Sequence, residues 1–378
     1  MLGKDYARAL RSVLAVFVLL VVPVLLSAAP LLAAQGSTPV SVDCSPAPRV
    51  PRDPPPAANN PEPVAAAELT AISVGVVPVS IFAPVFVALE KGYYAEQGLD
   101  VTLEPLPGGA DLIALTASNQ FQISAAGAGP AFWNAIALNL PITVIAPGHQ
   151  ESTPVATPLM ISRASCETGA IASVADLRGK RISVNARGAT EYWLNAALST
   201  GDLTISDVVV ETIPFADAVL ALEAGAIDAA MIGEPLATRA IQGGIAVPLA
   251  DDFPIANVLP TVVIANSDFA NESPELVTGF VIAYLKASRD LSGTGWADPA
   301  NLAIIEQYTQ VPAELAAAAV APVYLLNGEI DPAALGRLQS FFRARGQLEY
   351  PDDIDPATVV DGTFVEAALE RIGTAGAE

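Results

Sequence analysis

The residues able to do chemistry sit in a few short loops. Gly127-Ala128-Gly129-Pro130-Ala131 joins an apolar run to a helical pattern, the setting in which nucleotide-binding chains hold phosphate. Both phosphate patterns fail. No Lys follows Gly129, and Phe132 stands where the dinucleotide pattern needs its third glycine. What remains is a helix start among small residues. It suits an acceptor-rich ligand group, or it is a plain tight turn. Pro130 has no N–H, so any donor there is the N–H of Ala128, Gly129, Ala131 or Phe132.

Three more loops follow strand-like runs: Pro78-Val79-Ser80-Ile81-Phe82, Pro107-Gly108-Gly109-Ala110 and Asn185-Ala186-Arg187-Gly188-Ala189-Thr190. Ligands of open α/β sheets sit outside the C-terminal strand ends, so four such loops together mark a binding cleft. Arg187 is the one cation expected in it, with a solvated loop Arg as the alternative. Thr190 is a ligand donor or a helix cap. Glu234, before Pro235, accepts from a ligand or caps a helix. His149 is the only His and reads as a polar loop residue ahead of a ligand contact.

Catalysis and metal binding find little support. No Ser lies in a G-x-S-x-G elbow. Asp251-Asp252 and Asp352-Asp353 read as solvated turns. Two Cys and one His cannot build a metal site of the usual Cys/His kind. No enzyme activity, no metal and no cofactor are expected.

Bulk composition narrows the class. The chain has 378 residues, 18 Lys+Arg against 40 Asp+Glu, and a formal charge of −22. That balance excludes a nucleic-acid partner and disfavours attachment to anionic lipid. Residues 1–34 form a basic start (Lys4, Arg8, Arg11) and an uncharged run closing on small residues. They read as an export signal, cleaved after Ala29 or Ala34, or as an uncleaved anchor. The product is thus periplasmic or cell-surface, with a tether at residues 12–34 left open. Residues 35–68 are rich in Pro and Ala and read as a disordered linker. Outside the cytoplasm Cys44 and Cys166 are free to pair; the sequence leaves both states open.

From Leu69 onward strands alternate with helices of about ten residues, which predicts parallel sheets covered on both faces. Two stretches look alike. "ALTASNQFQISAAGAGP" and "ALEAGAIDAAMIGEP" each run helix, strand, turn, then a helix opening on Pro. Two similar α/β lobes imply a cleft between them.

The stretch "VFVALEKGYYAEQGLDVTLEPLPGGADLIALTASNQFQISAAGAG", with "SVADLRGKRISV" and "LEAGAIDAAMIGEP", resembles the substrate-binding proteins of ABC importers in the nitrate/sulfonate/taurine and thiamine-pyrimidine group. The marker is Gly92-Tyr93-Tyr94 followed by Glu96-Gln97-Gly98-Leu99-Asp100-Val101, and the likeness covers about residues 70–290. The resemblance implies a periplasmic-binding-protein-like α/β fold with two lobes, a cleft and two hinge crossovers. Lobe 1 would comprise residues 69–160 and 258–378, and lobe 2 residues 161–257. It implies a monomer that gives a small-molecule ligand to a membrane permease. It also implies that the loops at 127–131 and 187–190 face ligand from opposite lobes, joined by Ser80, Ile81, Phe82, Gly108 and Gly109.

Pyrimidine binders of the group carry Asn and His after the first strand. Here that loop is Ser80-Ile81-Phe82-Ala83-Pro84. Helix starts with Arg187 suit a sulfonate or carboxylate instead, and Phe82, Phe132, Tyr192 and Trp193 are candidates to cover an apolar body. A small organic anion is therefore the expected ligand. The alternatives are a pyrimidine, flavin or other heterocycle, a tethered sensor domain, or a pyrimidine-synthase-like enzyme.

Overall fold

The computed structural model describes residues 42–45, 49, 60, 63–106, 108–151, 153–255 and 258–376. The export segment at 1–34 and most of the linker lie outside these residues. Among the described residues twelve strands follow in order: β1 (Thr70–Val76), β2 (Leu99–Pro105), β3 (Ile123–Gly127), β4 (Ile142–Pro147), β5 (His149–Gln150), β6 (Leu159–Ser162), β7 (Arg181–Val184), β8 (Val209–Thr212), β9 (Ala229–Met231), β10 (Ala246–Ala250), β11 (Thr261–Asn266) and β12 (Val323–Tyr324).

Ten of them build two five-stranded sheets, ordered β2-β1-β3-β11-β4 and β8-β7-β9-β6-β10, and β5 pairs with β12 in a separate two-stranded sheet. Written this way the two orders are equivalent. Each sheet has a parallel trio, then one antiparallel strand, then an edge strand. This duplication is what the sequence likeness at 114–130 and 221–235 reflects.

The expected all-parallel sheets are thus corrected in one respect. β11 runs antiparallel to β3, and β6 antiparallel to β9. The cause is the chain path: β6 enters the second lobe directly from the first, and β11 returns directly from the second. A strand arriving from the cleft must run back against the parallel trio. β6 was not anticipated, because three apolar residues followed by a serine leave no strand signal distinct from a buried loop.

Burial explains why the sheets hold. β11 is buried at all six positions, as a strand covered on both faces should be. Trp133 and Phe132, on the helix Pro130–Ala137, are fully buried. Each such aromatic contributes roughly 2–3 kcal/mol of burial. The long helix Pro274–Asp290 shares the first lobe's core, with Phe280 and Tyr284 inside. The helix Pro332–Ala344 touches both the helix Pro130–Ala137 of the first lobe and the helix Ala189–Ser199 of the second.

The linker reading needs correcting where residues are described. Cys44 is disulfide-bonded to Cys166 on the second lobe, with Cα atoms 5.8 Å apart. Arg49 is buried, and Asn60 donates to the Lys286 carbonyl at 2.9 Å. These residues are docked rather than disordered. The signal missed was functional-group content: a Cys and an Arg set among Pro and Ala have no reason to remain solvated if partners exist.

Candidate functional site

A cavity of about 600 Å³ opens between the lobes, in the size range of small-molecule sites. Its walls are loops at the C-terminal ends of the parallel strands, where open α/β sheets bind ligand. Val79, Ser80 and Ile81 follow β1, and Gly127 ends β3. Asn185, Ala189 and Thr190 follow β7, and Gly233 to Leu236 follow β9. Both chain crossings pass through the wall as well. His149, Glu151, Ala156 and Thr157 lie on the first; Pro260 and Thr261 close the second.

Aromatic and aliphatic groups make most of the surface. Trp193 comes from the helix Ala189–Ser199, Phe215 from the helix Phe215–Glu223, and Trp296 from a short 3₁₀ turn, Gly293–Ala297. Val311, Ala316, Ala319, Val320 and Pro322 add a rim from the C-terminal region. Among the described lining residues there is no Lys or Arg.

Polar groups converge at the first crossing. The Glu151 side chain is 6% exposed. Its Oε1 accepts from the Trp193 indole N–H at 2.8 Å, and its Oε2 from the Ala156 N–H at 2.9 Å. His149 Nε2 lies 3.8 Å from Oε1. Burial pushes the Glu151 carboxyl up, but His149, Trp193 and the Ala156 amide outweigh burial and hold it below its usual value. His149 Nδ1 is 2.7 Å from Thr261 Oγ1, which also accepts from the His149 backbone N–H at 2.8 Å. Gly148 makes this approach possible: a Cβ there would sit 2.1 Å from Thr261 Oγ1. The crossing therefore carries a closed chain, Thr261–His149–Glu151–Trp193, that joins both crossings to the second lobe.

Glu234 forms a second polar point. Its Oε1 accepts from Arg49 Nη1 at 2.8 Å and from the Thr238 hydroxyl at 3.0 Å. Burial raises this carboxyl, opposed by Arg49 and Thr238. On the wall beside it, Thr190 donates its hydroxyl to the Asn185 amide oxygen, so it satisfies a neighbour before any ligand.

Of the residues singled out in the sequence, Ser80, Ile81, Gly127, Ala189, Thr190 and Glu234 line the cavity. Phe82 is buried in the first lobe's core. Gly108, Gly109, Gly129 and Ala131 are outside the lining. Ala128 is fully buried, and its N–H is taken by the Pro260 carbonyl at 2.9 Å. Gly188, with φ +123°, shapes the turn and packs near Pro130 rather than on the cavity. Arg187 is exposed and donates to the Arg345 carbonyl at 3.3 Å. It lies outside the lining and reaches the end of the helix Pro332–Ala344. Of the aromatic candidates only Trp193 faces the cavity; Phe132 is core, and Tyr192 stacks edge-on with Phe341.

His149, Glu151, Phe215, Thr261 and Trp296 were missed as wall residues. A lone His two residues from an acid, in a stretch linking two strands, was the available signal for the first pair. Nothing local distinguishes Trp296, which reaches the wall only through packing of the C-terminal region.

The comparisons with known proteins agree with this geometry. The NMT1/THI5-like family model matches residues 80–293. The riboflavin-binding protein RibY of Chloroflexus aurantiacus is 28% identical over 337 residues, covering 83% of this chain and 92% of RibY. Among solved structures, the alkanesulfonate-binding protein SsuA of Xanthomonas axonopodis pv. citri, bound to MOPS, superposes with a TM-score of 0.62 at 18% identity, over 79% of this chain and 100% of SsuA. The periplasmic nitrate-binding protein NrtA of Synechocystis gives a TM-score of 0.61 at 14% identity, over 81% of this chain and 90% of NrtA.

Proposed function

We propose that this chain, which belongs to the NMT1/THI5-like family, is the solute-binding component of an ABC importer, and that its ligand is an uncharged aromatic heterocycle. It would act outside the cytoplasm as a monomer, close its lobes on the ligand, and present it to a membrane permease. The Cys44–Cys166 disulfide supports the location, since such bonds persist in oxidising compartments.

The observation that carries the ligand class is the composition of the wall. Trp193, Trp296 and Phe215 offer faces for stacking, while Glu151 and Glu234 are acceptors with neighbours already in place. A planar ring bearing N–H and C=O groups meets both. RibY, similar over most of both chains, is named for such a ligand. The anion anticipated from Arg187 loses that support, because Arg187 points elsewhere. A second reading keeps the anion on other grounds: Ala189 and Thr190 open the helix Ala189–Ser199 on the wall, and a helix start attracts negative charge.

Transport is favoured over catalysis. Both cysteines are tied in the disulfide. Thr261, the hydroxyl nearest His149, is buried under Gly148 and already accepts from the His149 N–H.

Titration calorimetry with riboflavin, an alkanesulfonate and nitrate separates the readings. The heterocycle reading expects riboflavin to bind and quench Trp193 and Trp296 fluorescence. Binding of the sulfonate alone would replace it with the second reading.

A further inference from the structure

Glu234 owes its partner to a distant part of the chain. Its side chain is 8% exposed. Oε1 takes Arg49 Nη1 at 2.8 Å and the Thr238 hydroxyl at 3.0 Å, and Oε2 takes the Thr238 N–H at 3.0 Å. Arg49 also donates to Asp251 Oδ2 at 3.3 Å and to the Val155 carbonyl. Its own side chain is 4% exposed and absent from the cavity lining. Among the described residues, the hydrogen bond that links the guanidinium to the cavity lining is the one to Glu234. Arg49 follows Cys44 by five residues, and the disulfide ties Cys44 to Cys166 of the second lobe.

A buried carboxylate in a ligand cavity attracts cations and repels anions unless its charge is compensated. Asp251 shares the guanidinium but is about one-third exposed and partly screened, so Arg49 is chiefly spent on Glu234 and Val155. We infer that Arg49 is a positioning residue that sets the charge selectivity of the cavity: through Glu234 it compensates one of the two carboxylates of the wall, leaving Glu151 as the other, and so lowers the preference for a cation over an uncharged ligand. This rests on the solute-binding reading and sharpens its ligand class.

The test measures the affinities of riboflavin (uncharged), thiamine (cation) and butanesulfonate (anion) for the intact disulfide-bonded chain and its variants. Arg49→Gln is expected to move the thiamine-to-riboflavin preference towards thiamine by about tenfold or more. Arg49→Gln with Glu234→Gln returns the preference towards wild type, which a merely structural role for Arg49 would not allow. Arg49→Lys, keeping the charge, stays near wild type. Should Arg49→Gln fail to fold, Glu234→Gln alone reads the pair from the other side, moving preference towards butanesulfonate.

An unmoved preference in Arg49→Gln, or the same shift with and without Glu234→Gln, overturns the inference. Where Arg49→Gln does not fold, an unmoved preference in Glu234→Gln overturns it. Wild-type protein that binds butanesulfonate but not riboflavin overturns the heterocycle reading alone. The inference then requires Arg49→Gln to weaken butanesulfonate and the double variant to restore it. Binding of none of the three probes by any variant overturns both.

Discussion

Glu151→Gln tests the polar chain at the first crossing. The carboxylate accepts from two donors with two different oxygens, Trp193 Nε1–H at 2.8 Å and Ala156 N–H at 2.9 Å. An amide has a single oxygen, so one of those donors must face an NH₂ group. The site is buried, and water cannot repair the mismatch. A hydrogen bond to a charged group contributes about 1.5–3 kcal/mol, and a stranded buried donor costs about 1–3 kcal/mol. With overlap between the two, the loss is about 3 kcal/mol. Urea unfolding should show it as a lowered midpoint at unchanged slope. On the proposed function part of it would belong to lobe closure, because Glu151 sits on the crossing and Trp193 on the second lobe. If all of it fell on the closed state, ligand affinity would drop about a hundredfold. Trp193→Phe removes one donor from the same bond, so the two substitutions should be less than additive when combined. The acid limb gives an independent check. The folded Glu151 carboxyl is held below its ordinary value of 4.5. Its contribution is therefore complete above about pH 4.5 and is lost as pH falls through the lowered value. Glu151→Gln should lack that part of the acid destabilisation. A variant within about 0.5 kcal/mol of wild type, strictly additive with Trp193→Phe, would refute the reasoning.

Other expectations follow from single contacts. Cys44→Ser with Cys166→Ser opens a loop of sequence separation 122 and should cost about 5 kcal/mol in the chain-entropy account, seen in calorimetry as a melting temperature lower by on the order of 10 °C. Arg187→Ala should leave ligand affinity unchanged, since the side chain is exposed and bonded to the Arg345 carbonyl; a tenfold loss in calorimetry would put it back at the site. Gly148→Ala drives a methyl to 2.1 Å from Thr261 Oγ1 and should destabilise by about 1–3 kcal/mol, while displacing His149 and weakening ligand. Wild-type melting and affinity would show that His149 is not held by this approach.

Alternation of short strands with helices was legible because each carries its own period, and the internal likeness at 114–130 and 221–235 already announced two lobes. Direction was not legible in β6 and β11, since antiparallel placement is decided by where the chain crosses between lobes. The loops after β1, β3 and β7 were legible as the binding side through the strand-end rule, whereas the loop after β2, read the same way, lies outside the lining. Which member of a loop faces inward was not. Arg187 donates to the Arg345 carbonyl, and Ala128 spends its N–H on the Pro260 carbonyl, both long-range outcomes. The same holds for Trp296 and Arg49, which reach the cavity or its back only through packing with segments remote in sequence.

The docked N-terminal side gives the molecule a third connection between its halves. Arg49 is anchored on the second lobe through Glu234, Asp251 and Val155. Asn60 is anchored on the first, on the helix Pro274–Asp290, through the Lys286 carbonyl and Asp290. Eleven Cα–Cα steps separate the two anchors in the covalent chain, about 36–40 Å at full extension. Together with the two crossings this makes a leash. However the halves swing, the stroke between those anchors has a ceiling, and a swing beyond it must first break the Arg49 or the Asn60 attachment. The widest opening of the cleft is therefore bounded by the length of chain between Arg49 and Asn60.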